Sequence, residues 1–229
     1  MVGDHRDETH DREQQLVGEL QRTYADAILA GDPRAAEIVI GEAIDAGLDE
    51  ATIDDGVIGP ALVLGGDLWV DGSIAIADEH LATSISLRVM TLQREAFRVV
   101  RERVSRRVLL AGAEGEHHVV GLEMASSVML HAGYDVRLLG ADLPVAAIAG
   151  AVARHRPAVV GFTTATSLSA VNLPAALDAV RRVDPDVGIV VGGRGVDPGL
   201  AARPDVVVCR HVADAVPHVD ALIKRAGRN

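Results

Sequence analysis

Arg107-Val108-Leu109-Leu110-Ala111-Gly112, then Gly115-Glu116-His117-His118-Val119-Val120-Gly121, reads as a β-strand handing over to a helix that runs to about His131. The apolar run suits a strand buried on both faces, and the glycines around the acid and the histidines mark the turn. A histidine at the carboxyl end of a strand, two residues after an acid and three before a glycine, has what a single axial metal bond needs. The imidazole offers one nitrogen to the metal while the carboxylate takes the proton of the other. Taken alone, a histidine at a helix start is more often a solvated or capping residue, and adjacent His117 reads as one on the surface. Zinc held by Glu116, His117 and His118 is a poorer reading. Sequence neighbours seldom converge on one ion, and the single cysteine, Cys209, offers no second sulfur pair.

Val/Leu/Ile-rich runs at 107–112, 134–139, 157–163, 187–192 and 205–209 alternate with helical segments. That alternation predicts an α/β domain, a flavodoxin-like (Rossmann-type) five-stranded parallel sheet with helices on both faces. Ligands of such sheets bind at the carboxyl ends of the strands, where His118, Thr163 and Gly192-Gly193 fall. Glycines there admit a bulky group close to the backbone, and a threonine hydroxyl can donate to a ring nitrogen of a buried heterocycle. A Gly-Gly pair after a strand is by itself most often a tight turn.

Upstream, Leu16, Leu20, Tyr24 and Ala27-Ile28 recur at helical spacing, and the helical pattern breaks at Gly31-Asp32-Pro33, Gly47, Gly59-Pro60 and Asp71-Gly72. Four or five short-looped helices are expected to form a bundle. The predicted organisation is a disordered polar tail over 1–12, a helical bundle over 13–103 and the α/β domain over 104–229, with the charged segment Arg101–Arg107 at the boundary.

Of 229 residues, 48% are apolar, enough for buried cores. Lys and Arg total 22 against 33 acids, and the net charge of −11 with no basic stripe speaks against a nucleic-acid surface. The charged amino terminus does not read as a secretory signal, and no apolar run approaches the ~20 residues a bilayer span needs. A soluble, cytoplasmic protein with no nucleic-acid or membrane partner is expected.

Glu116-x-His118-x-x-Gly121 resembles the Asp-x-His-x-x-Gly signature of cobalamin-binding domains, with glutamate for aspartate. Gly133-Tyr134-Asp135-Val136, Leu139-Gly140-Ala141-Asp142-Leu143-Pro144, Gly161-Phe162-Thr163-Thr164 and Val191-Gly192-Gly193 follow in the family's order, from about Arg107 to Ala226. The resemblance implies that His118 replaces the cofactor's own dimethylbenzimidazole as lower axial ligand of cobalt, and that the detached nucleotide tail threads into the fold. Thr163 stands where a serine usually contacts the displaced base, with Thr164 an open alternative.

Trp69, the chain's single tryptophan, is followed after nine residues by Glu79-His80. Gly72 breaks one helix and starts another, so these side chains can face a common cavity that suits an adenosyl group: Trp stacks or packs, and Glu accepts from ribose hydroxyls. The arrangement resembles the helical cap of light-sensing, adenosylcobalamin-dependent photoreceptors, best known as carotenoid-gene repressors. There the cap holds the adenosyl group over cobalt in the dark, and light cleaves the cobalt–carbon bond and rearranges cap and oligomer. This sequence is expected to work without the DNA-binding domain that precedes the cap in those repressors. It also carries Val70 where they have a histidine that ligates cobalt after illumination. A variant of the family holds a bilin beside the cobalamin. Arg88, Arg94 and Arg98 lie at roughly helical spacing and could meet the propionates of non-covalent biliverdin, although a solvated helix face explains them more simply.

The resulting expectation is a cobalamin-dependent light sensor rather than an enzyme, a homo-oligomer whose association changes with light and which signals through a protein partner. The alternative is a corrinoid carrier for methyl transfer, in which Trp69 and Glu79-His80 have no evident task. A mutase subunit would need a barrel domain for its substrate. Gly112-Ala113-Glu114-Gly115-Glu116-His117 is no dinucleotide fingerprint, and Gly161-Phe162-Thr163-Thr164 lacks a receiver domain's aspartate. No nucleophile-base pair or carboxylate dyad points to side-chain catalysis.

Overall fold

A computed structural model describes residues 4–98 and 104–226. The chain divides into two compact units, Met1–Arg98 and Val99–Asn229. Residues 99–103, at the end of the expected bundle and in its charged boundary, lie outside the described residues, as do 1–3 and 227–229.

The first unit comprises α1 (Asp4–Leu29), α2 (Pro33–Asp45), α3 (Glu50–Ile53), a π-helical turn (Asp54–Ile58), α4 (Gly59–Val70) and α5 (Ile76–Ala96). Two sequence expectations are corrected here. The tail expected to be disordered over 1–12 is helical from Asp4, continuous with an amphipathic helix whose polar turns carry i,i+4 bonds. The Gln14 amide donates to His10 (2.8 Å) and that of Gln15 to Glu19 (3.1 Å). Gly59-Pro60 does not separate two helices. The π turn runs straight into α4, with the Gly59 N–H donating to the Asp54 carbonyl. Proline lacks an N–H and crowds the carbonyl four residues back, and a widened turn accommodates both. The Gly59 hydrogens are part of that fit, because a Cβ would lie 2.9 Å from the Asp54 oxygen.

The other breaks fall where the sequence puts them. Asp32 caps α2, its Oδ1 accepting from the Arg34 and Ala35 N–H groups at 3.0 Å, and Gly72, at φ 81°, ends the turn after α4. Tyr24, Ile28, Val39, Ile40, Ile53, Ile58, Ile85 and Val89 are among the buried side chains of this unit. Polar groups lie within the same core. Tyr24 donates to Ser86 Oγ (3.1 Å), and Gln93 Nε2 donates to Asp54 Oδ1 (3.1 Å), with Gln93 and Asp54 both 2% exposed.

The second unit alternates β1 (Val104–Ala111), α6 (Val120–His131), β2 (Tyr134–Leu138), α7 (Val145–His155), β3 (Val159–Thr163), α8 (Leu173–Val183), β4 (Gly188–Gly192), α9 (Pro198–Ala201), β5 (Val207–Cys209) and α10 (Ala215–Ala226). All strand pairs are parallel, in the order β2-β1-β3-β4-β5. This is the flavodoxin-like arrangement, with its crevice between the carboxyl ends of β1 and β3. The period of two in each strand sorts the core. Leu109, Ala111, Val160, Phe162, Ile189 and Val191 pack with Ile148 and Val152 of α7 and Leu173, Leu177 and Val180 of α8. Val108, Leu110, Val159 and Val190 pack with Leu122 and Met129 of α6 and Val219 of α10. Gly161 breaks the series because Leu110 fills its place, where a Cβ would sit 2.5 Å from Leu110 Cδ2. Among the described residues no helix is long and apolar enough to cross a membrane.

Burial pushes the Asp54 carboxyl from its usual 3.8 up to about 7, with Glu50 and Asp55 adding to the rise while the Gln93 bond and Arg94 oppose it. Between those values the unfolded chain gives up a proton that the folded unit keeps, so stability falls as pH rises through this window. Asp54→Asn keeps the acceptor for Gln93. In the intact chain it is expected to flatten that dependence and to raise stability at pH 8 by roughly 4 kcal/mol. The measurement is thermal unfolding followed by fluorescence of Trp69, the chain's only tryptophan, at several pH values.

Candidate functional site

The loop from β1 to α6 carries Glu116 and His118 to the crevice. Glu116 is 1% exposed, whereas the His118 side chain is 59% exposed. One carboxylate oxygen, Oε1, accepts from the His118 backbone N–H (2.8 Å) and lies 2.6 Å from its ring Nδ1. The other, Oε2, accepts from the Ala165 N–H (2.6 Å) and the Ser169 hydroxyl (2.6 Å). Burial pushes this carboxyl up, but the bonds from the His118 ring, Ser169 and the two backbone N–H groups outweigh it and hold the group at about 2. An ionised carboxylate only accepts, so Nδ1 carries the ring proton and Nε2 is the nitrogen through which His118 would bind a metal. The methylene by which glutamate exceeds aspartate does not break the pair.

Ser169 is the residue that sequence reasoning missed. It sits on the β3–α8 loop, in the hydroxyl-rich run Thr163-Thr164-Ala165-Thr166-Ser167-Leu168-Ser169, whose composition was the available signal. That loop separates the two threonines the sequence left open. Thr164 is structural: its hydroxyl is 3.2 Å from both the Thr166 carbonyl and Ser169 Oγ. Thr163 Oγ1 is buried with no hydrogen-bond partner, which carries a desolvation cost.

Gly121, on the first turn of α6, faces Thr163: a Cβ there would meet Thr163 Cγ2 at 3.6 Å, an ordinary contact. Its φ lies outside the left-handed region, so neither backbone nor packing demands glycine at this contact with Thr163. Gly192 and Gly193 are explained by the protein itself. Thr164 N–H donates to the Gly192 carbonyl (3.0 Å), and Gly193, at φ 100°, is packed so closely on the Thr164 carbonyl that a side chain would overlap it. Gly195 is held against Thr166 in the same way. These glycines tie the β4 loop to the β3 loop and thereby brace Ser169.

Glu116, His118, Gly121, Thr163 and Thr164 thus come together, with Gly192-Gly193 joined through Thr164. Trp69, Glu79 and His80 belong to the other unit. Trp69 ends α4 and is 45% exposed, and Val70 beside it is 78% exposed. Glu79 Oε1 accepts from Thr83 Oγ1 (3.0 Å), and His80 Nε2 lies 3.7 Å from Glu79 Oε2. Arg88 pairs with Glu37 (2.8 Å) and Arg98 with Glu95 (3.4 Å). Two features of the α/β unit fit a cobalamin: an imidazole held through Nδ1 and an unsatisfied buried hydroxyl that could meet a heterocycle.

A family model described as a B12 binding domain matches residues 106–220, and a second of the same description matches residues 20–92. The chain is similar to the HTH-type transcriptional repressor CarH of Myxococcus xanthus, 29% identical over 197 residues that make up 83% of this chain and 62% of the repressor. It is also similar to the repressor CarA of the same organism, 33% identical over 132 residues, 56% of this chain and 43% of CarA. It therefore spans less than two thirds of the length of either. The Methanosarcina barkeri monomethylamine corrinoid protein shares the fold, with a TM-score of 0.73 at 16% identity over 93% of this chain and 99% of its own. The methanol:cobalamin methyltransferase complex MtaBC from the same organism gives 0.50 at 22% identity, over 90% and 80%.

The two hydroxyls are expected to respond oppositely in the cofactor-free protein. Ser169→Ala withdraws a donor from a buried carboxylate and should cost about 1–3 kcal/mol, whereas Thr163→Val removes an unsatisfied group and should leave stability unchanged or raise it by about 1 kcal/mol. Denaturant unfolding of both variants checks this.

Proposed function

The chain belongs to the B12-binding-domain family, and we propose that it is a light sensor that holds adenosylcobalamin with His118 on cobalt and Trp69, Glu79 and His80 on the adenosyl side. The observation that carries the cobalt assignment is the Glu116 carboxylate, which fixes Nδ1 of His118 as the protonated nitrogen while Ser169 and Ala165 hold the carboxylate. Thr163 is the hydroxyl offered to the displaced base, beside Gly121.

The sensor reading rests on the helical unit. Trp69 leaves a large ring half exposed in the last turn of α4, and Val70 beside it is exposed too. Such apolar surface suits packing on a nucleoside, and it matches the resemblance of Trp69 and Glu79-His80 to the photoreceptor cap. When bound, cobalamin supplies a cobalt–carbon bond that visible light cleaves. Trp69 then loses its packing partner, and this difference in contacts between the two states is what can drive a change of association. Val70 has no donor atom, so this position contributes no ligand after illumination. Photochemistry is assigned to cobalamin alone: Arg88 and Arg98 already pair with Glu37 and Glu95, with which bilin propionates would have to compete.

The test is the absorption spectrum of protein reconstituted in the dark with adenosylcobalamin, with and without biliverdin, before and after green light, alongside sizing chromatography. Photoconversion with a change in elution is expected, and no new red band with biliverdin. Tight cobalamin binding with no light-dependent change in elution would overturn the sensor reading in favour of a corrinoid carrier. His118→Ala is expected to abolish the histidine-ligated spectrum in a folded protein. Trp69→Ala should spare cobalamin binding and weaken retention of the adenosyl form about tenfold, consistent with loss of an aromatic packing partner.

A further inference from the structure

The loop that presents Glu116 and His118 is held from two sides. On one side the β3–α8 loop holds the Glu116 carboxylate through Ser169 and Ala165. On the other the β2–α7 loop is laced to the loop's backbone: the Gly112 N–H donates to the Gly140 carbonyl (2.9 Å) and the Leu143 N–H to the Gly112 carbonyl (3.0 Å). Asp142 completes this lacing. Its carboxylate Oδ1 accepts from the Gly115 N–H (2.9 Å), its own N–H donates to the Glu116 carbonyl (2.8 Å), and its Oδ2 lies 3.8 Å from His117 Nδ1. It thus grips the peptide group before Gly115 and the one after Glu116, bracketing the residue that aims His118.

Asp142 does so from an unfavourable backbone. Its φ is 54°, and the other non-glycine residue with positive φ among those described, Arg156 at 46°, is the ordinary left-handed cap of a helix, α7. Asp142 precedes a helix and has no such reason. Aspartate and asparagine are the side chains that tolerate this region best, and they persist there when local hydrogen bonds offset the strain. Gly115, at φ 89°, turns its N–H toward the carboxylate.

We propose that Asp142 is a positioning residue for the cobalt ligand, clamping the Gly115–Glu116 backbone so that the Glu116 carboxylate holds the His118 imidazole in its ligating orientation. The inference rests on the cobalamin reading of the site and adds a residue from a different loop to it.

Three substitutions separate the side chain's bond from the backbone's conformation. Asp142→Asn keeps an acceptor and tolerates positive φ. Asp142→Gly relaxes the backbone but has no acceptor, and Asp142→Ala loses both. Each variant is prepared with 15N label and loaded with unlabelled cob(II)alamin, and electron paramagnetic resonance reads the fraction with the 15N doublet of an axial imidazole rather than the 14N triplet of the cofactor's own base. Exchange of the Gly115 amide is measured in the cofactor-free protein, and thermal unfolding confirms folding. Wild-type behaviour is expected for Asn. For Gly, the ratio of imidazole-bound to imidazole-free cobalt should fall about fivefold, as for loss of one hydrogen bond, with faster Gly115 exchange in a folded protein. The proposal is overturned if Gly matches wild type, or if Asn fails as Gly does. Absence of the imidazole splitting in the wild type would instead overturn the cobalamin reading, and the Gly115 exchange rates would still report on the clamp.

Discussion

A carboxylate removed from water must be satisfied by the protein, and Glu116 draws its donors from two separate loops. The His118 ring and backbone meet one oxygen, while Ala165 and Ser169 meet the other. Because the group is buried, each donor is worth more than it would be at the surface, and together they outweigh the upward push of burial and keep the group an anion. The anion in turn decides which imidazole nitrogen is protonated. A half-exposed histidine would otherwise choose between tautomers and rotamers, and here the carboxylate makes the choice.

The sheet order is what lets those two loops meet. β1 and β3 are neighbours although β2 lies between them in sequence, so the turn carrying Glu116 and the turn carrying Ser169 emerge side by side. Gly161 admits Leu110 between the strands, while Gly193 and Gly195 allow the β4 loop to close on Thr164 and Thr166. Of these, Gly193 and Gly195 bear directly on the loop that carries Ser169. Rigid support of this kind is what a single axial ligand needs, since a metal held by one protein bond has no second protein ligand to correct a misplaced ring.

Much of this was legible in the sequence, for a physical reason. Strands buried on both faces leave unbroken apolar runs, and Glu116 and His118 stand two residues apart because they bond within one loop. Contacts between loops leave no such trace. Ser169 reaches Glu116 across 53 residues and Asp142 reaches Gly115 across 27, so nothing local marks either. Glycines mislead in the opposite direction. Gly192-Gly193 reads as a ligand cradle, yet the contact its backbone demonstrably makes is with Thr164, and Gly59-Pro60 looks like a break and is the start of a helix whose preceding turn is widened. Residues 4–12 have a polar composition that reads as a tail, yet helix propagation from an established α1 costs little once nucleation has occurred.

Asp54 and Glu116, the two most deeply buried acids among the described residues, show how little burial decides by itself. Asp54 and Glu116 are both almost entirely withdrawn from solvent. Asp54 has Gln93 as its opposing donor and two acidic neighbours, Glu50 and Asp55, and its carboxyl rises to about 7. Glu116 has an imidazole, a hydroxyl and two backbone N–H groups, and falls to about 2. The helical core can bury an acid by letting it hold a proton, at the cost of stability as pH rises. The α/β unit cannot, because a protonated Glu116 would no longer hold the ring proton of His118 as a charge-assisted acceptor. A full set of donors around a buried carboxylate therefore marks the acid whose charge is used, and a sparse set marks one that is merely tolerated.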